Sequence, residues 1–286
     1  MTKKITSALL EALWYLVVFA VAQYVVAIGV NSAAMLWHGA PAEAVWNAIA
    51  HGSFQLSSKV LVLTATASSV VAIGLFVWRK WTVVSPTYLR TRPWGVFFWA
   101  IILALGTILP SQWLQERIDL QMPEAAERMF EAILGTPWGY FAVGILTPIA
   151  EEMVFRGAIL RTLLHAFGPR LRWVAIFASA LLFGLIHGNQ AQFAHALLIG
   201  IILGWLYCRT GSILPGVVLH WVNNTVAYVM FNAMPHMADG KLIDFFHGSY
   251  RTMWLGLLFS LFLIVPSLFQ LHLRMRKAND KGTPET

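Results

Sequence analysis

Three charged side chains lie close together in one of the most apolar parts of the chain. The segment TPIAEEMVFRGAIL, residues 147–160, carries Glu151, Glu152 and Arg156 among Ile, Met, Val and Phe. Because Glu152 and Arg156 are four residues apart, they share one face of a helix and can form an ion pair. Glu151 lies about 100° around the helix axis from Glu152. The spacing predicts one carboxylate neutralised within its own helix and one available for chemistry.

Two further apolar segments each carry a polar residue pair with the same spacing. ALLFGLIHGNQ places Phe183 and His187 four residues apart, and ILPGVVLHWVNNTV does the same for His220 and Asn224. A charge at the bilayer centre costs about 2.5–3.5 kcal/mol on insertion scales, so buried polar residues mark a bundle interior or a wet cavity. A rise of 1.5 Å per residue puts Glu151, His187 and His220 at roughly similar depths of 15, 20 and 12 Å. We therefore predict one site on three helices.

The composition is that of a membrane protein. Hydrophobic residues make up 58% of the 286 residues and charged residues only 12%, about half the charged fraction of soluble domains. Eight apolar segments have about the length needed to cross the hydrocarbon core. These segments are 9–30, 60–78, 94–109, 138–160, 173–187, 193–208, 213–234 and 252–273. The sequence predicts an all-α polytopic membrane protein, a single transmembrane domain over residues 1–286 with its motif core at about 140–230.

Lys and Arg residues are distributed unevenly between the two sides of such a bundle. With eight spans both termini share a side, which holds fourteen of the 20 Lys and Arg, whereas the opposite loops hold five and Arg156 lies within a span. The positive-inside rule then predicts cytosolic termini. Contact with anionic inner-leaflet lipid explains the net charge of +7, so we expect membrane lipid and no nucleic acid as a partner. The compact chain favours a bacterial or archaeal cell membrane over an organelle.

In this order, the three motifs resemble the CAAX protease and bacteriocin-processing (CPBP, or Abi) family of intramembrane peptidases, which includes the type II CAAX prenyl endopeptidases. The family pattern is EExxxR, then FxxxH, then HxxxN, and it is matched here by EEMVFR, FGLIH and HWVNN. The resemblance covers roughly residues 140–230, about a third of the chain. It implies an eight-helix bundle with a conical cavity open toward the cytosol.

The resemblance also implies hydrolysis of a peptide bond by an activated water, without a covalent acyl-enzyme. Glu151 and His187 would hold and deprotonate the water, and His220 and Asn224 would donate hydrogen bonds to the oxyanion. The chemistry of the residues agrees, because amide hydrolysis needs a base for water and donors where negative charge develops. We expect a peptide or protein substrate, with or without a lipid group, and no cofactor.

Three residues of the motifs are assigned supporting roles. Glu152 and Arg156 would form a structural ion pair that holds the geometry, and Phe183 would pack against the site. Asn224 has a rival in its neighbour Asn223, since either amide could form a hydrogen bond between helices. Of the remaining histidines, His195 is the one expected to be able to reach the cavity.

A zinc-dependent intramembrane peptidase is the first alternative. Glu151, His187 and His220 would supply three zinc ligands and leave a position open for water. The HExxH motif, which places two ligands on one helix, is absent. The single cysteine, Cys208, excludes both an internal disulfide and a multi-cysteine metal site.

Two further alternatives lie outside hydrolysis. A transporter could use the buried Glu, Arg and His as a proton path, although no inverted repeat is visible. A non-hydrolytic scaffold or bacteriocin-immunity protein could retain the motifs without activity. Other intramembrane proteases are disfavoured because neither GxSG nor GxGD occurs. Gly200 and Gly204 have the GxxxG spacing of close helix packing, within the chain or between chains, so the oligomeric state stays open.

Overall fold

The structure, a computed structural model, describes residues 2–54, 57–83, 86–118, 120, 122–234 and 241–275. These residues form helices joined by short connections and include no β-strand, which confirms the all-α prediction. The helices, numbered α1 to α12 in chain order, are Thr2–Trp37, Ala42–His51, Ser58–Trp78, Pro86–Arg90, Trp94–Arg117, Glu124–Leu134, Pro137–Phe167, Arg172–Leu185, Gln190–Thr210, Leu214–Ala233, Leu242–Phe245 and Tyr250–Arg274.

The number of membrane spans differs from the predicted eight. Five helices, α1, α3, α5, α9 and α12, are long and apolar enough to cross a membrane, and α6 with α7, which meet at 104°, make a sixth candidate. Helix α8 has 14 residues, about 21 Å at 1.5 Å per residue, which is shorter than a hydrocarbon core of roughly 30 Å. Helix α10 has 20 residues, but its polar side chains lower its mean hydropathy. The predicted count of eight is therefore not confirmed.

Helix α7, which carries the first motif, alternates between two helical forms. Its α-helical stretch Thr147–Glu152 lies between the π-helical stretches Tyr140–Leu146 and Met153–Leu160. Pro148 has no N–H to donate to the preceding turn, and the Thr147 hydroxyl donates instead to the carbonyl of Ala142 at 3.1 Å. Irregular turns of this kind recur at functional sites, and here they flank both glutamates.

The core lies where α7 passes between α1, α3, α8 and α9. Phe155, Ile159 and Leu160 of α7 are 0% exposed and belong to one apolar cluster with side chains of the neighbouring helices. The GxxxG spacing packs helices within the chain, since a Cβ on Gly204 would lie 2.9 Å from the side chain of Ile176 on α8. Many large apolar side chains on the outer helices are exposed, as expected of surfaces that face lipid.

Candidate active site

The ion pair between Glu152 and Arg156 is a fully buried part of the site. Both side chains are 0% exposed, and Arg156 Nη1 donates to Glu152 Oε1 at 2.8 Å, as the spacing of four residues predicts. Arg156 Nη2 also donates to the carbonyl of Gly200 on α9 at 3.2 Å. The Arg156 guanidinium carbon lies 4.5 Å from the centre of the Phe183 ring, within cation–π distance. The pair therefore ties α7 to both α8 and α9.

His220 lies between the two adjacent glutamates. Its Nδ1 is 3.3 Å from Glu152 Oε1, and its Nε2 is 3.6 Å from Glu151 Oε2. The second distance exceeds that of a hydrogen bond, and in the described part of the chain no hydrogen bond holds the Glu151 carboxylate. The Glu151 side chain is 13% exposed, whereas that of Glu152 is 0% exposed. The two neighbouring glutamates thus have different environments, because Glu152 is enclosed in the core and Glu151 is partly exposed.

Close contact between α10 and α7 depends on a glycine. A Cβ on Gly216 would lie 2.6 Å from Glu152 Oε2, too close for any other residue without movement. Gly216 precedes His220 by one helical turn on α10. The absence of a side chain there allows α10 to approach α7 closely enough for His220 to reach both carboxylates.

The tautomer of His187 follows from its hydrogen bond. Its Nδ1 is 2.8 Å from the backbone carbonyl of Phe183, and a carbonyl oxygen can only accept. Nδ1 therefore carries the proton, and in the neutral ring Nε2 keeps its lone pair for another donor. The Phe183 ring meets both imidazoles edge-on, with centroid distances of 5.1 Å to His187 and 5.7 Å to His220. Phe183 is 2% exposed, so this buried ring spaces the two histidines.

Asn224 contacts the first π-helical stretch of α7. Its Nδ2 donates to the carbonyl of Val143 at 2.8 Å. An amide nitrogen carries two hydrogens, so one hydrogen remains for a further acceptor such as a substrate oxygen. The structure thus brings all seven predicted residues to the contact region of α7, α8 and α10. The individual catalytic roles stay predictions.

A second polar group, made by Ser111, His195 and Asn223, was only partly foreseen. His195 Nδ1 lies 2.7 Å from Ser111 Oγ, and His195 Nε2 lies 3.1 Å from Asn223 Nδ2. The sequence marked His195 as able to reach the cavity and Asn223 as a rival to Asn224 for a hydrogen bond between helices. Ser111 was not marked, because its segment was expected to end at residue 109. Helix α5 instead continues through Pro110 to Arg117. Membrane helices tolerate such a proline when neighbouring helices satisfy the freed backbone groups.

Two cavities adjoin the site. The end cavity, of about 390 Å³, is lined by α5, α6, α9, α10 and α11, and includes Ser111, His195 and Asn223. The side cavity, of about 280 Å³, lies between α1, α3 and α7 and includes Glu151. Its wall also carries Gln23, Thr64, Ser68, Ser69 and Thr147. Polar groups at such a position favour water beside the Glu151 carboxylate.

The zinc alternative was tested against the arrangement of the donors. Over the described ranges, no three His, Cys, Asp or Glu side chains are grouped so that they could hold a metal ion. Nδ1 of His220 faces Glu152, and Nδ1 of His187 faces a carbonyl, contacts that zinc-bound histidines also make with their second ring nitrogen. Glu151, His187 and His220 are therefore not grouped as a zinc site in the described residues, and the zinc-dependent peptidase stays an alternative.

Comparison with known proteins agrees with the motifs. The family model described as "Rce1-like: Type II CAAX prenyl endopeptidase Rce1-like" matches residues 133–226. The match covers about a third of the chain and includes all three motifs, which confirms the resemblance and supports a membrane protease. No curated protein and no solved structure matches the chain.

Proposed function

We propose that the protein is an intramembrane endopeptidase in which Glu151 and His187 activate the water that attacks the peptide carbonyl. One observation carries the proposal, the contrast between the two adjacent glutamates. Glu152 is fully buried and paired with Arg156, whereas Glu151 is partly exposed, lies 3.6 Å from an imidazole and lines a cavity. A membrane helix with two such carboxylates has one that holds structure and one left for acid–base chemistry.

Proton transfer is assigned to Glu151 and His187. The Nδ1–H of His187 is bound to the carbonyl of Phe183, which fixes the ring orientation and leaves Nε2 free to accept a hydrogen bond from water. The water oxygen forms a bond to the carbonyl carbon and gives its proton to the base. The same proton passes to the leaving amine when the C–N bond breaks.

Stabilisation of the oxyanion is assigned to His220 and Asn224. Nδ1 of His220 donates to the Glu152 carboxylate, so Nε2 donates to the oxyanion when the ring is protonated and carries a hydrogen on each nitrogen. Asn224 uses one amide hydrogen for Val143 and retains the other. Glu152 and Arg156 hold His220 in place, and Phe183 keeps the two imidazoles apart. The substrate is a peptide or a protein segment in the cell membrane, with or without a lipid group.

Comparative peptidomics of cells tests this function and identifies the substrate in the same experiment. Cells that express the wild type are compared with cells that express Glu151→Gln, and Glu43→Gln is the matched control because Glu43 is exposed on α2. We expect cleavage products with the wild type and with Glu43→Gln that are missing with Glu151→Gln. Identical peptides from all three strains would contradict the proposal and favour a scaffold or immunity role.

Purified protein separates this mechanism from the zinc alternative. Cleavage of a peptide found by peptidomics is measured before and after dialysis against a strong chelator, with metal analysis of the same samples. We expect unchanged cleavage by protein that contains no zinc. Loss of cleavage that added zinc restores would overturn the metal-free mechanism and leave the peptidase assignment intact.

A further inference from the structure

The site is sealed toward one end of the bundle. This end, called the basic end, is where α3 and α7 end and α8 and α10 begin. Its connections carry residues such as Arg79 and Arg170, and Arg209 lies in the last turn of α9. From the Glu152–Arg156 pair toward this end, Leu160, Leu163, Leu203 and Leu206 are all 0% exposed. Interiors packed in this way leave no passage for a peptide.

The connection after α3 closes the same side. A Cβ on Gly157 would lie 1.9 Å from the hydroxyl oxygen of Thr82, which shows that the backbone of α7 presses directly against this connection. Thr82 itself is 6% exposed. A peptide could not reach Glu151 from the basic end without displacing both α7 and this connection.

The end cavity lies toward the opposite end, called the loop end. The end cavity follows the second half of α10 from Asn223 to Phe231 and includes Met234 just after the helix. It is closed in by the last turns of α5 and by α6 and α11. Its wall carries apolar side chains such as Phe130, Met230 and Phe231. A cavity of this size with apolar walls and few polar groups is typical of a binding site.

The floor of the end cavity adjoins the proposed catalytic residues. Asn223 lines the cavity and is next in sequence to Asn224. His195 lies between Asn223 and Ser111, with Nε2 3.1 Å from Asn223 Nδ2 and Nδ1 2.7 Å from Ser111 Oγ. A peptide segment that enters the cavity therefore approaches the site on the side of Asn223 and Asn224.

We propose that the end cavity is the substrate entrance and that it opens on the non-cytosolic side of the membrane. The direction follows from charge, because among the described residues eleven Lys and Arg fall on the side of the basic end and five on the side of the loop end. The substrate is then a peptide segment with apolar side chains presented outside the cytosol. The inference rests on the proposed peptidase function, and it reverses the cytosolic opening that the family resemblance implies.

Cysteine labelling tests the entrance without any substrate. Cys208 is the single cysteine, so Cys208→Ser gives a background without thiols. Ala227→Cys places a thiol in the end cavity, whereas Val229→Cys places one on the same helix at an exposed position outside the cavity lining. Arg251→Cys reports on the loop end and Arg170→Cys on the basic end. Intact cells and permeabilised cells are treated with a charged, membrane-impermeant maleimide.

The expected pattern is specific. In intact cells Ala227→Cys and Arg251→Cys react, and Arg170→Cys reacts only after permeabilisation. Ala227→Cys reacts at least about tenfold faster than Val229→Cys, since a thiol in lipid does not ionise. Reaction of Arg170→Cys but not Arg251→Cys in intact cells would overturn the orientation. Equal rates for Ala227→Cys and Val229→Cys, or no reaction of Ala227→Cys, would overturn the entrance.

A second measurement links the entrance to cleavage. Modification of Ala227→Cys in intact cells is expected to stop cleavage of a peptide substrate, and the same treatment of Val229→Cys is expected to leave cleavage unchanged. Full cleavage after complete modification of Ala227→Cys would contradict the proposal. The labelling pattern does not depend on catalysis, so failure of the peptidase function would show only in the Glu151→Gln comparison.

Discussion

The two neighbouring glutamates differ in burial, because they face different halves of the bundle. On the side of the basic end, Glu152 is enclosed with Arg156 among side chains that are 0% exposed. On the other side, Glu151 borders one cavity, and His195 and Asn223 border another. One helix thus carries an enclosed carboxylate and one that lines a cavity at consecutive positions, for which we propose a structural and a reactive role. The difference comes from the packing around each side chain and not from residue type.

In the half of the bundle that contains the cavities, replacement of His187 should have the largest effect on the rate of peptide cleavage. In His187→Gln the lone pair of Nε2 is lost, and cleavage should fall by about 10²- to 10⁴-fold, the typical contribution of general acid–base catalysis. The matched control is His165→Gln, because His165 is exposed in the last turn of α7. The rate of peptide cleavage in liposomes is the measurement. Equal rates for the two variants would remove His187 from the mechanism.

In the closed half of the bundle, on the side of the basic end, we expect a substitution to lower the stability of the protein. Arg156→Met leaves Glu152 buried without its partner, and we expect a loss of about 3–5 kcal/mol in the free energy of unfolding. The double variant Glu152→Gln with Arg156→Met should recover part of this loss, because no unpaired charge remains. Unfolding in detergent measures both effects. A single variant as stable as the wild type would show that the pair does not hold the bundle together.

Substitution of each of the two adjacent asparagines compares the site with its proposed entrance. Asn224→Ala should lower kcat by about 10²- to 10³-fold if this amide stabilises the oxyanion. Asn223→Ala alters the cavity floor, so we expect mainly a higher KM with a smaller change in kcat. Measurement of kcat and KM for both variants on one peptide distinguishes the two roles. A large loss of kcat with Asn223→Ala alone would exchange the two assignments.

The smallest effect is predicted for the helix contact beside Glu152. Gly216→Ala would place a Cβ 2.6 Å from Glu152 Oε2, and such overpacking lowers stability by about 1–3 kcal/mol. Gly74→Ala is the matched control, since a Cβ there would meet nothing within 4 Å. Melting temperatures of the two variants give the comparison. A lower melting temperature for Gly74→Ala than for Gly216→Ala would contradict close packing at this contact.

Contacts within one helix could be predicted from spacing alone. Glu152 and Arg156 pair as residues four apart do, and Glu151 points elsewhere because it is one residue away. Composition was sufficient for the all-α membrane class. These features depend only on helical geometry and on the cost of placing polar groups in lipid.

Contacts between helices could not be predicted in the same way. The position of His220 between both glutamates depends on how closely α10 approaches α7, which Gly216 permits. The contact between Ser111 and His195 depends on α5 continuing past Pro110. The span count depends on the length of α8 and on the polar residues of α10. Each of these three features depends on the depth and rotation of the packed helices. The spacing of residues within one helix does not determine either quantity.

Glu151→Gln and Glu152→Gln, purified in parallel and reconstituted in liposomes, test the central claim most directly. For each variant, cleavage of a peptide identified by peptidomics and the melting temperature are measured against the wild type. We predict that Glu151→Gln keeps the wild-type melting temperature and loses cleavage, and that Glu152→Gln has a lower melting temperature. Wild-type cleavage by folded Glu151→Gln would contradict the division between a reactive and a structural carboxylate.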